Sequence, residues 1–433
     1  MTNDFLFSKF GQKFSQNSGI LQLMDDLGNA LASDKPINML GGGNPANIKA
    51  INDVYQETLQ SLIRDGTALN SIGNYSTPQG DAGFIDSLVA FFNRHYDWGL
   101  TADNIALTNG SQNAFFYLFN LFSGKFSDNQ DKKILLPLAP EYIGYADAHI
   151  DDKHFIAVEP IIEDTTHQGE TGFFKYRVDF DKLAQLPELQ NGQIGAICCS
   201  RPTNPTGNVL TDDEMDKLLA IAKAYNLPLI VDNAYGMPFP NIIYSDTTLT
   251  FDDNIILCFS LSKVGLPGVR TGIVVASPQV IKAVCAMNAV INLAPVRFGA
   301  TIAGPLFDDD RIATLSNDTI KPFYQQQSTL AVRLLKHEFQ DLPVKIHKPE
   351  GAMFLWVWFK DLPVSTQVLY EKLKEKGTLI IPSEHFFVGL DTNHYRHAHE
   401  CIRLSVAQPD EVLQKGIGTI GEVVRELYSE STK

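Results

Sequence analysis

Four short apolar runs, each breaking off into a polar loop, constrain this chain more than any other feature. Residues 104–108 run into Asn109-Gly110-Ser111-Gln112, and Ile194–Ser200 runs into Arg201-Pro202-Thr203-Asn204. Residues 226–231 deliver Asp232 and then Tyr235, and Ile255–Ser260 ends in Leu261-Ser262-Lys263. Apolar runs this short, bounded by turn residues, read as buried strands. In an open α/β sheet a ligand sits outside the carboxyl ends of the strands, so the four loops are expected to meet at one crevice.

The intervening sequence supports a wound α/β unit. Residues 133–138 and 154–160 read as further strands, and 211–226 as an amphipathic helix with Thr211 as its cap and Glu214 at the capping-box position. After Thr319 the texture changes to a long helical stretch through Lys336, a strand over 351–358 and a helix over 365–376. A chain of 433 residues is long enough for two separate cores. The expected organisation is an N-terminal arm and part of a small domain over 1–54, a large α/β domain over 55–319, and a small α+β domain over 320–433.

Chemistry enters where the loops meet. Lys263 stands at the end of a buried strand, where partial desolvation lowers an amine's pKa and leaves it neutral enough to attack an aldehyde. Alone, Ser260-x-Ser262-Lys263 reads first as a solvated turn; its neighbours favour a Schiff-base lysine. Asp232 is a carboxylate able to keep a pyridine nitrogen protonated, and Asn204 and Tyr235 offer donors to an ionised ring oxygen. Gly110, Ser111 and Gln112 open a helix whose N–H groups can cradle a phosphate. Pyridoxal phosphate asks for all of these groups.

The order Asn204-Pro205-Thr206-Gly207, Asp232-x-x-Tyr235, Ser260-x-Ser262-Lys263 resembles the class I aminotransferases of fold type I. So do residues 40–46, 106–112, 139–145, 200–208 and 347–351, and the resemblance runs from about residue 10 to about 406. It implies a large wound domain with a mostly parallel sheet, a smaller α+β domain packed with the N-terminal segment, and pyridoxal phosphate as cofactor. By matching position it makes Lys263, Asp232 and Tyr235 catalytic. It makes Gly110, Ser111, Gln112, Ser260 and Arg270 the phosphate cradle, with Tyr142 stacked on the ring and Asn204 and Tyr235 on its 3′ oxygen. Tyr75 matches a tyrosine that reaches the phosphate of a neighbouring subunit, which implies a homodimer. Gly43, Asn204 and Arg403 match substrate-binding positions, Arg403 as a bidentate partner of the α-carboxylate. The longer stretches imply ping-pong exchange of an amino group between L-valine and pyruvate. Another small aliphatic amino acid, or β-elimination on the same scaffold, stays open as an alternative.

Arg270 follows Lys263 by seven positions, 270 − 263, one fewer than is usual in the class, so its phosphate role requires a loop of unusual shape. Arg201 is a departure, with cofactor, substrate and Glu141 as possible partners. The side-chain pocket has candidates in Ile20, Leu21, Tyr142, Tyr145 and residues 293–295. Gly41-Gly42-Gly43-Asn44-Pro45-Ala46 fits a dinucleotide fingerprint, but Pro45 sits in the turn and no suitable helix and acid follow. His394, His397 and His399 read as a surface loop, and no metal site is expected.

A formal charge of −15 argues against nucleic-acid partners and anionic membranes. It also disfavours a cofactor-binding transcription regulator, which needs a basic module. Five cysteines without C-x-x-C spacing give no disulfide framework or zinc site. With no leader-like start and no apolar run near about 18 residues, a cytoplasmic enzyme acting on small molecules is expected.

Overall fold

The computed structural model describes residues 5–16, 21, 24, 25, 28, 37–151 and 153–430. Among them, one eight-stranded sheet carries the four sequence-predicted strand ends. Its centre is parallel: Asp131–Leu136, Ile194–Ser200, Leu229–Asp232 and Ile255–Ser260 pair in that order. Gly272–Val275 adds antiparallel, and Ile105–Thr108 adds antiparallel to that strand, so its carboxyl end points the same way as the central ones. Helices cover both faces of such a sheet, which is why its strands are near-continuous apolar runs. All seven residues of Ile194–Ser200 are buried.

Local sequence sets the helices that flank it. Thr211 caps Asp212–Ala224 through a full capping box with Glu214. Gly110, at φ +88°, turns the chain into Ser111–Phe122, a conformation that a side chain would strain.

A second, six-stranded sheet runs Ile381–Pro382, Cys401–Ser405, Phe354–Phe359, Val344–His347, Glu170–Arg177 and Ile161–His167. Its last two strands form a hairpin that lies, by sequence, within 55–319. They join the C-terminal sheet because Glu170–Arg177 pairs parallel with Val344–His347, setting Phe173 opposite Ile346. The N-terminal segment also packs there, with Asn38–Met39 parallel to Thr378–Leu379. Gly41 to Gly43 follow that short strand, and the next helix begins only at Lys49.

His397 does not lie on a surface loop. It is buried, its Nε2 meets the Tyr176 hydroxyl at 2.5 Å, and its ring stands edge-on to Trp358 at 4.5 Å. Burial pushes its pKa down to about 3, so the ring packs as a neutral aromatic. His394 is exposed and His399 half-buried, as a loop allows. No helix among the described residues is long and apolar enough to cross a membrane.

Candidate active site

Lys263 sits on the short helical turn Leu261–Val264 that leaves the strand Ile255–Ser260. Its Nζ donates to the Gly43 carbonyl at 2.7 Å and lies 5.3 Å from the centre of the Tyr235 ring. Burial first, then the charges of Arg403 and Arg270, push its pKa down to about 8, while Asp232 opposes the shift. The glycine run expected to approach substrate therefore lies against the amine itself.

Asp232 ends the adjacent parallel strand, with Cys258 of the lysine strand paired to it. One carboxylate oxygen accepts from Tyr145 Oη at 2.8 Å, the other from the Ala234 N–H at 3.0 Å. Burial pushes its pKa up to about 6, with both hydrogen bonds and Lys263 holding it lower than burial alone would. Tyr145, a side-chain-pocket candidate by sequence, is instead fully buried beneath this aspartate, beside Ser200 and Glu141. Ile20 lies outside the described residues, and Leu21 is exposed.

Arg270 reaches Gly110 because its loop does have an unusual shape. Two short helical turns, Leu261–Val264 and Pro267–Val269, are separated by Gly265 at φ +101°, and Arg270 itself is left-handed at φ +49°. A Cβ on Gly110 would stand 2.2 Å from the Arg270 guanidinium, so this glycine makes room for the cation. Arg270 also donates to Ser262 Oγ at 3.4 Å and to the Pro267 carbonyl at 3.2 Å. Sequence reasoning placed Ser260 here and passed over Ser262, although both hydroxyls of Ser-x-Ser-Lys were in view. Ser260 Oγ accepts from the Ser262 N–H at 3.1 Å. The Gln112 amide donates to the Gly144 carbonyl at 2.8 Å, and Ser111 and Gln112 stand in the first turn of their helix, where backbone N–H groups have no partner within the helix.

Arg403 projects from Cys401–Ser405 into the same crevice, 2% exposed. It donates to Asn204 Oδ1 at 2.9 Å and the Gly41 carbonyl at 2.7 Å, its guanidinium lies 4.2 Å from the Phe354 ring centre, and its Nε has no partner among the described residues. Arg201 does not pair with Glu141. It donates to the Leu210 and Thr248 carbonyls at 2.7 and 2.8 Å and pairs with Asp212. Tyr142 stands edge-on to Tyr145 with ring centres 5.5 Å apart. Tyr75 is 81% exposed, and the single chain does not bring it into the crevice.

His149, Asp151 and His154 place possible ligand atoms within 4.8 Å of one another. The two rings are stacked at 4.1 Å and 26°, so their in-plane lone pairs run side by side instead of converging on an ion. His154 Nε2 is taken by Asp131 at 3.0 Å.

A desolvated amine, a buried acid, helix N–H groups beside a guanidinium, and an arginine with an unmet donor together fit pyridoxal phosphate and an amino-acid carboxylate. The model of the class I and II aminotransferases matches residues 40–420, and the chain belongs to that family of pyridoxal-phosphate-dependent transaminases. It is 44% identical to the valine–pyruvate aminotransferase of Escherichia coli K12, over 98% of this chain and 99% of that one. A protein from Psychrobacter arcticum 273-4, provisionally named an amino-acid aminotransferase, superposes at a TM-score of 0.97 and 66% identity, over 98% of this chain and all of that one. The valine–pyruvate aminotransferase of Salmonella typhimurium LT2 follows at 0.86 and 43%, covering 95% and 100% of the two chains.

Proposed function

We propose that this aminotransferase exchanges an amino group between L-valine and pyruvate, giving 3-methyl-2-oxobutanoate and L-alanine. The observation that carries the reading is the convergence of Lys263, Asp232 and Arg403 on one crevice in a chain 44% identical to an enzyme of that name. A cavity of about 190 Å³ beside Lys263, walled by Pro45, Ala46, Ile48, Ile51 and Tyr324, supports a small branched side chain. Apart from Lys263, which the reaction itself engages, the lining holds no cation to pair with an acidic side chain.

Bound pyridoxal phosphate supplies a ring that accepts the electron pair left at the substrate α-carbon. Asp232 holds a proton on the ring nitrogen facing it, and Asn204 and Tyr235 donate to the 3′ oxygen. Lys263 Nζ takes the α-proton and later returns it, which its depressed pKa suits near neutral pH. Arg403 orients the substrate by its carboxylate, with Gly43 giving the backbone room to approach. The N–H groups of Ser111 and Gln112, with Gly110, Ser260 and Arg270, hold the phosphate, and Tyr142 stacks on the ring. Tyr75 is exposed because it crosses into a neighbouring subunit's site, which makes the working form a homodimer, acting in the cytoplasm. The catalytic unit is 55–319 without the hairpin Ile161–Arg177, which belongs with 1–54 and 320–433.

A single-turnover panel tests the substrate. The aldehyde form is mixed with one amino acid at a time, and its conversion to the amine form is followed by absorbance; oxo acids are then tested in reverse. Valine and alanine should convert fastest in one direction, pyruvate and 3-methyl-2-oxobutanoate in the other. Equal rates with valine, aspartate and aromatic donors would overturn the substrate and leave transamination standing. A methylene in an apolar pocket discriminates by about 1–3 kcal/mol, so 2-aminobutanoate should react within roughly 200-fold of valine.

A further inference from the structure

Beneath Asp232 lies a second carboxyl group, Glu141, 1% exposed and with no ion pair among the described residues. Two hydroxyls connect the acids. Ser200 Oγ is hydrogen-bonded to Glu141 Oε2 and lies 3.3 Å from Tyr145 Oη, which in turn lies 2.8 Å from Asp232 Oδ2.

Each hydroxyl carries one hydrogen, so the three contacts need one further hydrogen, on one of the two carboxyls. Lys263 acts on Asp232 and no cation acts on Glu141, which places the negative charge on Asp232, and Tyr145 then donates to it. The Tyr145–Ser200 contact then needs the hydrogen of Ser200, and the Ser200–Glu141 contact needs a hydrogen from Glu141. A neutral Glu141 satisfies all three contacts in one direction. An ionised Glu141 would take the Ser200 hydrogen and leave two oxygens facing each other at 3.3 Å with no proton between them. The backbone N–H groups of Ser200 and Tyr142 also face the carboxyl, and a single carbonyl oxygen has lone pairs for both.

We propose that Glu141 is held as a neutral acid and heads a one-way chain of hydrogen bonds, from Glu141 through Ser200 and Tyr145 to Asp232, that confines the buried negative charge to Asp232. Glu141 is thus a positioning residue, acting on the cofactor's ring nitrogen through Asp232. The ionisable groups facing it are Asp232, Tyr145, Cys198 and Cys199, none of them a cation. Burial, opposed by the Ser200 hydrogen bonds and reinforced by Asp232, pushes Glu141 up to about 8, whereas Asp232 reaches about 6, an ordering that agrees with the charge lying on Asp232. Two coupled carboxyls in a dry site separate their titrations in this way. The assignment rests on the aminotransferase reading only for its effect on the cofactor; the protonation state stands by itself.

The direct test is infrared spectroscopy of cofactor-free protein at pH 7 with Glu141→Gln. The wild type should show the carbonyl band of a protonated carboxyl that shifts in heavy water, and the variant should lack it. No such band in the wild type, or a band that survives the substitution, overturns the proposal. Glutamine also donates to Ser200 and accepts from the N–H groups, so the pH midpoint of the holoenzyme's visible spectrum should move by less than about half a unit. A larger shift would mean that a charge had been removed, and would also overturn it. Should Glu141→Gln fold poorly, Tyr145→Phe serves instead. It removes one of the two donors to Asp232, the one that links it to Glu141, and should lower kcat by about tenfold with KM little changed, as the loss of one hydrogen bond to a charged group predicts; an unchanged kcat and spectral midpoint would rule out transmission along the chain.

Discussion

The floor and the rim of the crevice differ in how far the chain alone has satisfied them. On the floor, Asp232 accepts two hydrogen bonds, and Tyr145, Ser200 and Glu141 are paired behind it. On the rim, among the described residues, Arg403 Nε has no partner, Arg270 makes only contacts of 3.2 and 3.4 Å, and Tyr75 stands in solvent. A buried donor left without a partner costs about 1–3 kcal/mol, so the rim is built at the expense of stability and repaid by what binds there. The floor is pre-organised and the rim is completed by ligand.

Substitutions on the two sides should therefore fail differently. Lys263→Ala, between them, should cut the half-reaction rate by roughly 10⁴ or more, since it removes the proton carrier and the covalent anchor together. Cofactor should still bind in equilibrium dialysis; wild-type single-turnover rates would refute the assignment. On the floor, Asp232→Asn should lower kcat by about 10²–10³, the scale of losing one pre-organised electrostatic partner, with KM for valine nearly unchanged. A pure KM effect would move Asp232 to the rim.

Protonation of Lys263 can be read without any substitution. Its pKa is depressed to about 8, so the neutral amine that attacks an aldehyde is present above that pH and lost below it. Reconstitution of cofactor-free protein, followed by absorbance, should accelerate about tenfold per pH unit up to about 8 and then level off, roughly a hundredfold between pH 6 and 8. A rise continuing past pH 10 would show an ordinary solvated lysine. On the rim, Arg403→Lys keeps the charge but loses the fork, and should lower kcat/KM for amino acids by about 10–100-fold while cofactor affinity holds. Equal losses for cofactor and substrate would erase the distinction between rim and floor.

Much of this site was legible from sequence because its parts are local. Each strand and its loop are contiguous, so apolar runs ending at Thr108, Ser200, Asp232 and Ser260 announced where the crevice lies. The Asp232–Tyr145–Ser200–Glu141 chain was not legible, since its links join residues 87, 55 and 59 positions apart and exist only once the loops pack. The sheet that the hairpin Ile161–Arg177 joins was not legible for the same reason, since it depends on pairing with Val344–His347. His397 looked like a loop residue because burial of a neutral imidazole depends on Tyr176 and Trp358, both distant in sequence.

Arg201, whose partner was left open by the sequence, sharpens the comparison with Arg403 furthest. Arg201 commits its Nε, Nη1 and Nη2 to Leu210, Thr248 and Asp212, and is 5% exposed, so each of its three side-chain nitrogens is already held by a protein acceptor. Its three bonds tie the loop after Ile194–Ser200 to the start of helix Asp212–Ala224. A lysine has one head group and cannot reach all three acceptors, so Arg201→Lys strands at least one buried carbonyl. The expected cost is about 1–3 kcal/mol of stability, seen as a lower Tm. kcat/KM should change by less than about threefold and cofactor affinity not at all, since the bonds lost are structural and none of them faces the crevice. Should the same variant keep its Tm and lose more than about tenfold in kcat/KM, Arg201 would belong with Arg403 on the rim, and the division between a self-satisfied interior and a ligand-completed edge would have to be redrawn.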